Sequence, residues 1–388
     1  MIKAVALLCS FGLGVCFSLL GAISVKLMPR LKIDQARFGS LVTGFMSACL
    51  VASLLMGVIT DRLGHKPVAV VGFALAAVCI LLLARSKSYA AAFVSCLLFG
   101  FGAMALNTAA NTLIPRVLYG GQNAEAALNL GNVAFGVGLL LAPLIVSFLF
   151  RMTSYENTVS FLAVIIGAPV VLAVLATYPP QSGAAFEFGA ALGLLTKPPV
   201  VAAFLALFCY SALDVSFSNW LPAFGKEVIA ASRPNADLGA VDASAQRLIS
   251  VYAISIVFGR LLASQAPGLK EYGSWFVAAA SLAVALLIAW MTWTRRAPVA
   301  WLLVFVVGLI TAPFFPLIVA GTFGKFSANP EVHGSVFGII FAGALLGGAT
   351  VPKAIGNLAK GSSVQKSMIV LAPLCLILVV LAVVLGRM

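Results

Sequence analysis

Asp214 is the residue in this chain whose chemistry is hardest to ignore. Ten of the eleven acids fall in polar stretches or at their edges: Asp34, Asp61, Glu125, Glu156, Glu187, Glu227, Asp237, Asp242, Glu271 and Glu331. Asp214 alone lies well inside an apolar run. An Asp at the centre of a membrane helix costs about 2.5–3.5 kcal/mol on insertion scales. Acids kept there face a cavity or a partner. A carboxyl in that setting can load and release a proton, or it can serve a structural hydrogen bond or ion pair. Tyr210 stands one turn earlier on the same helical face and is placed to donate to it. Asn107 and Asn111, four residues apart, also share a face. Amides both donate and accept, which suits hydroxyl-rich solutes, although polar membrane residues also tie helices together. Asn132 and its neighbour Asn129 invite the same two readings. Trp220, Phe314 and Phe315 could stack on the apolar face of a sugar, or simply anchor and pack. Lys26, Lys353 and Arg260 could meet an anionic substrate. Lys26 and Lys353 could instead snorkel from helix ends.

Other chemistries find little support. The two histidines, His65 and His333, fall in predicted loops, and no second acid accompanies Asp214 inside an apolar run. An enzyme would cluster such groups, so neither catalysis nor a metal or other cofactor is expected. The seven cysteines, Cys9, Cys16, Cys49, Cys79, Cys96, Cys209 and Cys375, all lie in apolar runs without a Cys-x-x-Cys pair. They are expected to be small hydrophobes rather than disulfides or ligands.

The elements that position these residues must lie in a bilayer. Hydrophobic residues make up 62% of the 388 and charged residues 9%, whereas a soluble domain carries about 25% charged residues. Apolar runs of about 18 or more residues are membrane spans. The net charge of +13 comes without the long basic clusters or aromatic interleaving of a nucleic-acid surface. Basic loops beside anionic lipid headgroups account for it. The first apolar stretch is too long for a signal peptide and is expected to be the first span.

Twelve helices are expected, at about 4–28, 37–60, 67–84, 90–115, 126–150, 158–178, 199–224, 245–265, 274–294, 298–323, 334–357 and 366–386. The stretch 225–244 is expected to be a polar external loop. A cytoplasmic linker over 181–198 divides an N-terminal six-helix bundle, 1–180, from a C-terminal one, 199–388. The halves echo each other weakly. Predicted helices 1 and 7 end in Leu27-Met28-Pro29 and Trp220-Leu221-Pro222. Helix 5 carries Gly136, Gly138 and Pro143; helix 11 carries Gly343, Gly347, Gly348 and Pro352. Such a 6+6 repeat fits transporters that rock two halves about a central site. With the N-terminus inside, about nine Lys/Arg fall on cytoplasmic loops and about fifteen outside, against the positive-inside rule.

Between predicted helices 2 and 3 runs Gly57-Val58-Ile59-Thr60-Asp61-Arg62-Leu63-Gly64-His65-Lys66-Pro67. It resembles the signature of the major facilitator superfamily, roughly Gly-x-x-x-Asp-Arg-x-Gly-Arg-Lys. Gly57, Asp61, Arg62, Gly64 and Lys66 match, and His65 replaces the usual Arg. The resemblance implies an all-α membrane fold of two six-helix bundles in pseudo-twofold arrangement. It also implies cytoplasmic termini and a cavity lined by helices 1, 4, 5, 7, 10 and 11. The matched residues would form a conformational latch. Gly57 would allow close helix approach, Asp61 would favour the start of helix 11 near Gly334, and Arg62 and Lys66 would pair with acids of the same layer.

A narrower resemblance is to the fucose/glucose-type proton symporter family. Asn107-Thr108-Ala109-Ala110-Asn111 is similar to that family's Glu-Thr-Ala-Ala-Asn, and Leu128-Asn129-Leu130-Gly131-Asn132 to its Leu-Asn-Leu-Ala-Gln. Phe208-Cys209-Tyr210-Ser211-Ala212-Leu213-Asp214-Val215-Ser216 is similar to its Phe-x-Tyr-Val-Gly-x-Glu-Val-Ser. Gly259-Arg260, Phe314-Phe315-Pro316 and Gly347-Gly348-Ala349-Thr350-Val351-Pro352 also match. The family's helix 4 acid is Asn107 here, and helix 1 carries no acid. Gly136, Gly138 and Pro143 partly resemble the helix 5 motif of drug/proton antiporters, with packing the simpler role.

These readings converge on a monomeric secondary transporter of the plasma (inner) membrane. It would move a small polar solute, with a sugar as the favoured cargo. The expected binding residues are Asn107, Asn111, Asn132, Tyr210, Asp214, Trp220 and Phe314. Asp214 would couple transport to a proton or another ion. The competing reading is a transporter or exporter of organic anions or amphiphiles working through Lys26, Lys353 or Arg260. A membrane enzyme or sensor is remote.

Overall fold

The structure is a computed structural model and describes residues 1–180, 193–235, 238–359 and 362–388. Most of the expected 181–198 linker lies outside the described residues. Among those described, twelve helices are long and apolar enough to cross a membrane. They are α1 (Ile2–Leu31), α2 (Arg37–Leu63), α3 (His65–Arg85), α4 (Tyr89–Gly121), α5 (Ala124–Leu149), α6 (Tyr155–Leu175), α7 (Pro198–Ser232), α8 (Arg247–Gln265), α9 (Glu271–Trp293), α10 (Ala297–Lys325), α11 (Pro330–Ala359) and α12 (Val364–Arg387).

Local chemistry sets their ends. Asp34, Ser88, Asn123, Ser154 and Ser363 each accept a hydrogen bond from the backbone N–H three residues on, at 2.8, 3.3, 3.0, 3.2 and 3.2 Å. These side chains satisfy donors that a helix start leaves open. Proline interrupts two spans. The helix of α6 breaks at Ala168, ahead of Pro169, and α10 breaks at Ala312-Pro313, because proline lacks the N–H that would continue the ladder.

Two expected loops are largely helical. Within the stretch 225–244, residues up to Ser232 continue α7, and those from Leu238 belong to the helix Leu238–Gln265 that contains α8. Glu227 is thereby held inside a helix. Its two carboxylate oxygens accept from Val364 N and Gln365 N at 2.8 and 2.9 Å, which caps the start of α12. Between α2 and α3 the turn is a single residue, Gly64, at φ 82° and ψ 177°. Only glycine adopts that conformation without strain. Asp61 and Arg62 consequently stand on the last turn of α2 rather than in a loop.

The chain forms two compact units. One comprises Met1–Leu195 with Phe326–Ala342; the other comprises Thr196–Lys325 with Gly343–Met388. The first half of α11 thus belongs with the first unit. Within the first unit α2 packs on α4, α3 on α6, and α1 on α5; within the second, α8 packs on α10, α9 on α12, and α7 on α11.

The glycines that permit the closest crossings recur in register. A Cβ on Gly138 of α5 would stand 2.1 Å from the Phe11 carbonyl of α1, and one on Gly347 of α11 would stand 2.1 Å from the Phe208 carbonyl of α7. A Cβ on Gly100 of α4 would meet Ala48 and Phe45 of α2 at 2.8 Å. One on Gly308 of α10 would meet Ser255 and Tyr252 of α8 at 2.0 and 2.9 Å. These contacts equate α1 with α7, α2 with α8, α4 with α10 and α5 with α11.

Candidate functional site

The polar centre of the second unit is built on α7 and α8. Tyr252 donates its hydroxyl to Asp214 Oδ1 at 2.8 Å. The tyrosine is buried and its ring stacks on Phe217 with centroids 5.5 Å apart, which fixes the hydroxyl's aim. No described residue donates to Asp214 Oδ2. Asp214 is enclosed by protein yet only half-buried, so that oxygen is not sealed off. Arg260, buried one helix away, donates Nε to the Ala312 carbonyl at 3.3 Å. Its charge acts on Asp214.

The donor is therefore Tyr252, 38 residues on, and not Tyr210. The Tyr210 hydroxyl is buried beside Arg260 and does not reach Asp214. Its ring sits 6.2 Å from that of Phe314 and 6.4 Å from that of Phe315. Both phenylalanines are buried, so packing already occupies them. Trp220 donates Nε1 to the Pro352 carbonyl at 3.0 Å and lies against Gly356, which ties α7 to α11. Lys353 is exposed.

In the first unit, Asn111 Nδ2 donates to the Asn107 carbonyl at 3.0 Å and to Asn107 Oδ1 at 2.9 Å. Both amides are buried and are engaged with each other. Asn129 is fully buried and donates to the Glu125 carbonyl. Asn132 donates to the Leu128 carbonyl at 2.8 Å and remains half-buried. Lys26 donates to the Phe150 carbonyl at 2.9 Å and sits 4.3 Å over that residue's ring. It thus closes the C-terminal end of α5, which removes it from any anion vestibule in this structure. Arg30 at the end of α1 forms an ion pair with Glu156 at the start of α6.

The signature residues gather at the start of α11, inside the first unit. Asp61 Oδ1 accepts from Gly334 N at 2.8 Å, and Oδ2 accepts from Ser335 N at 2.6 Å. The carboxylate sits on the positive end of that helix, where negative charge is favoured. A Cβ on Gly57 would stand 2.4 Å from the Gly334 carbonyl, and one on Gly338 would stand 2.3 Å from the Ser53 carbonyl. Small residues are required for this crossing. Arg116, from the end of α4, places its charge near Asp61. It acts on Asp61 and Glu331 by charge and donates to the Pro330 carbonyl. Arg62 and Lys66 are exposed. The matched Lys66 is thus peripheral, and Arg116, which the motif does not contain, occupies the inner position. Among the described residues no cluster of His, Cys, Asp and Glu could hold a metal ion.

Among the described residues, twelve helices are long and apolar enough to span a membrane, and Asp214 lies within the seventh. The chain belongs to the Major Facilitator Superfamily, whose family model matches residues 6–349. No curated protein matches it significantly in sequence. Among solved structures it is similar to the E. coli fucose:proton symporter FucP in a single-site variant, with TM-score 0.75 and 19% identity over 98% of each chain. It is similar to FucP in the outward conformation, with TM-score 0.79 and 17% identity over 99% of this chain and 98% of that one. It is also similar to the human organic anion transporter TETRAN, with TM-score 0.73 and 16% identity over 98% of each chain. At these identities the likeness shows the major facilitator fold. The protein is thus an integral membrane member of a superfamily of transporters.

Proposed function

We propose that the protein is a proton-coupled importer of a small, neutral, hydroxyl-rich solute of the sugar class. Asp214 is the coupling acid. The observation that carries this reading is the divided carboxylate: Tyr252 holds Oδ1, while Oδ2 is left without a described donor on a residue that keeps accessible surface. Such an oxygen can take either a proton or a hydroxyl donor from a solute. Arg260 supplies the opposite charge nearby, so the centre is balanced overall and favours a neutral cargo over a charged one. The fucose:proton symporter shares the fold, which is consistent with this class.

The organic-anion reading draws support from TETRAN's fold. It is weakened by Lys26, which is committed to Phe150. In our reading the protein acts as a monomer in the plasma (inner) membrane, with both termini cytoplasmic. Its two transporting bundles are 1–180 and 199–388. The Asp61 contact with α11 is a latch that forms and breaks as access alternates.

A thermal-shift screen of the purified protein against neutral sugars and organic acids tests the cargo. Protection by sugars is expected, and protection by acids alone would favour the anion reading. In proteoliposomes, Asp214→Asn should lose accumulation driven by a pH gradient and retain sugar counterflow. Unchanged accumulation would remove Asp214 from coupling.

A further inference from the structure

The glycine crossings allow the two units to be compared position by position. Phe11 and Phe208 receive equivalent glycines, so Phe17 and Asp214, each six residues further on, are equivalent. Ala48 and Ser255 receive equivalent glycines, so Phe45 and Tyr252, each three residues earlier, are equivalent. The second unit therefore holds a hydrogen-bonded Asp214–Tyr252 pair where the first holds a Phe17–Phe45 pair, edge to face at 5.7 Å. Phe99, one residue before Gly100, backs Phe45 at 5.3 Å. Phe135, three residues before Gly138, meets Phe17 edge to face at 6.3 Å. Its equivalent in the second unit is Ala344.

This aromatic group is graded in depth. Phe45 and Phe99 are buried, whereas Phe17 and Phe135 are half-buried. Phe17 shares the accessible side of α1 with the small or polar Ser18, Gly21 and Ser24, and with the exposed Val25 two turns on. Gly21 is the equivalent of Ser218, which lies on the accessible side of α7 one turn beyond Asp214. Asn132 stands one turn before Phe135 and is also half-buried.

We infer that Phe17 and Phe135 are specificity-determining residues, an aromatic wall in the first unit that takes the apolar C–H face of a ring-shaped sugar. This rests on the sugar-class reading above and narrows it. A pyranose presents a flat C–H face that packs on an aromatic ring, and a linear polyol presents none. The buried Phe45 and Phe99 hold the wall from behind.

The test compares uptake of L-fucose and D-glucose, as ring probes, with D-mannitol, as a linear probe, in proteoliposomes. Phe17→Leu and Phe135→Leu keep the sites apolar, and Phe99→Leu serves as a packing control behind the wall. The two wall variants should raise the half-saturation concentration for ring sugars by roughly two- to tenfold, the range of an aromatic contact. Maximal rate and mannitol uptake should stay unchanged, and Phe99→Leu should not discriminate between the probes. Unchanged ring affinity, or an equal loss for ring and linear probes, overturns the inference and leaves the sugar-class reading standing. A wild-type protein that binds and transports none of the three probes overturns both.

Discussion

At the scale of single residues, the Asp214 carboxylate is organised by what holds one oxygen and what leaves the other. A hydrogen bond to a charged group contributes about 1.5–3 kcal/mol net. If Tyr252 positions Oδ2 for the solute, Tyr252→Phe should lower transport efficiency by about ten- to a hundredfold, the same energy expressed as a ratio. Tyr210→Phe removes a hydroxyl that does not hold Asp214 and should cost far less. Initial-rate counterflow on the two variants separates them. Asp214 was legible in the sequence because a lone acid in an apolar run has few explanations. Tyr252 was not, because it lies on another helix and nothing in its neighbourhood marks it. Tyr210 satisfied the one-turn rule along α7, but tertiary geometry sent its ring against Phe314 and Phe315 instead. Phe17 and Phe135 were equally hidden among the chain's 27 phenylalanines. Their distinction is partial exposure, which a string of apolar letters does not carry.

At the scale of helices, the fold depends on glycines that let backbones touch. Gly347→Ala would drive a methyl to 2.1 Å from the Phe208 carbonyl, whereas Gly21→Ala meets nothing within 4 Å. Overpacking of this kind costs about 1–3 kcal/mol. The Gly347 variant should therefore show a clearly lower apparent Tm in detergent, and the Gly21 variant a wild-type one. Equal melting temperatures would show that the α7–α11 crossing relaxes freely. At the start of α11, Asp61→Asn would turn one acceptor into a donor facing the Ser335 or Gly334 N–H. Spin labels on Lys66→Cys and Asn329→Cys, both exposed, should then report a broader and longer distance distribution than in the otherwise wild-type background. An unchanged distribution would mean that the carboxylate does not hold this contact. Helix number and order were readable from hydropathy alone. The ends were less so. Glu227 and Asp61 look like loop residues by charge, yet both sit on helices because each caps the start of another helix distant in sequence. The Gly57 signature marked the α2–α11 contact through resemblance. Arg116, which lies outside that motif, could be recognised only in three dimensions.

At the scale of the whole molecule, the repeat has kept its scaffold and changed its chemistry. Equivalent glycines hold equivalent crossings in both units, while one equivalent pair is Phe–Phe and the other Asp–Tyr. The weak echo of glycines and prolines in helices 5 and 11 was visible in the sequence. The pairing of Phe17 with Asp214 was not, since it needs the contact register. The central claim is that Asp214 carries a proton along with a neutral sugar, and movement of that proton can be observed directly. Proteoliposomes loaded with a pH-sensitive dye and given an external pulse of sugar should acidify inside in the wild type. Asp214→Asn liposomes should show no acidification while still exchanging labelled sugar. Sugar-dependent acidification of equal size in Asp214→Asn would contradict the account.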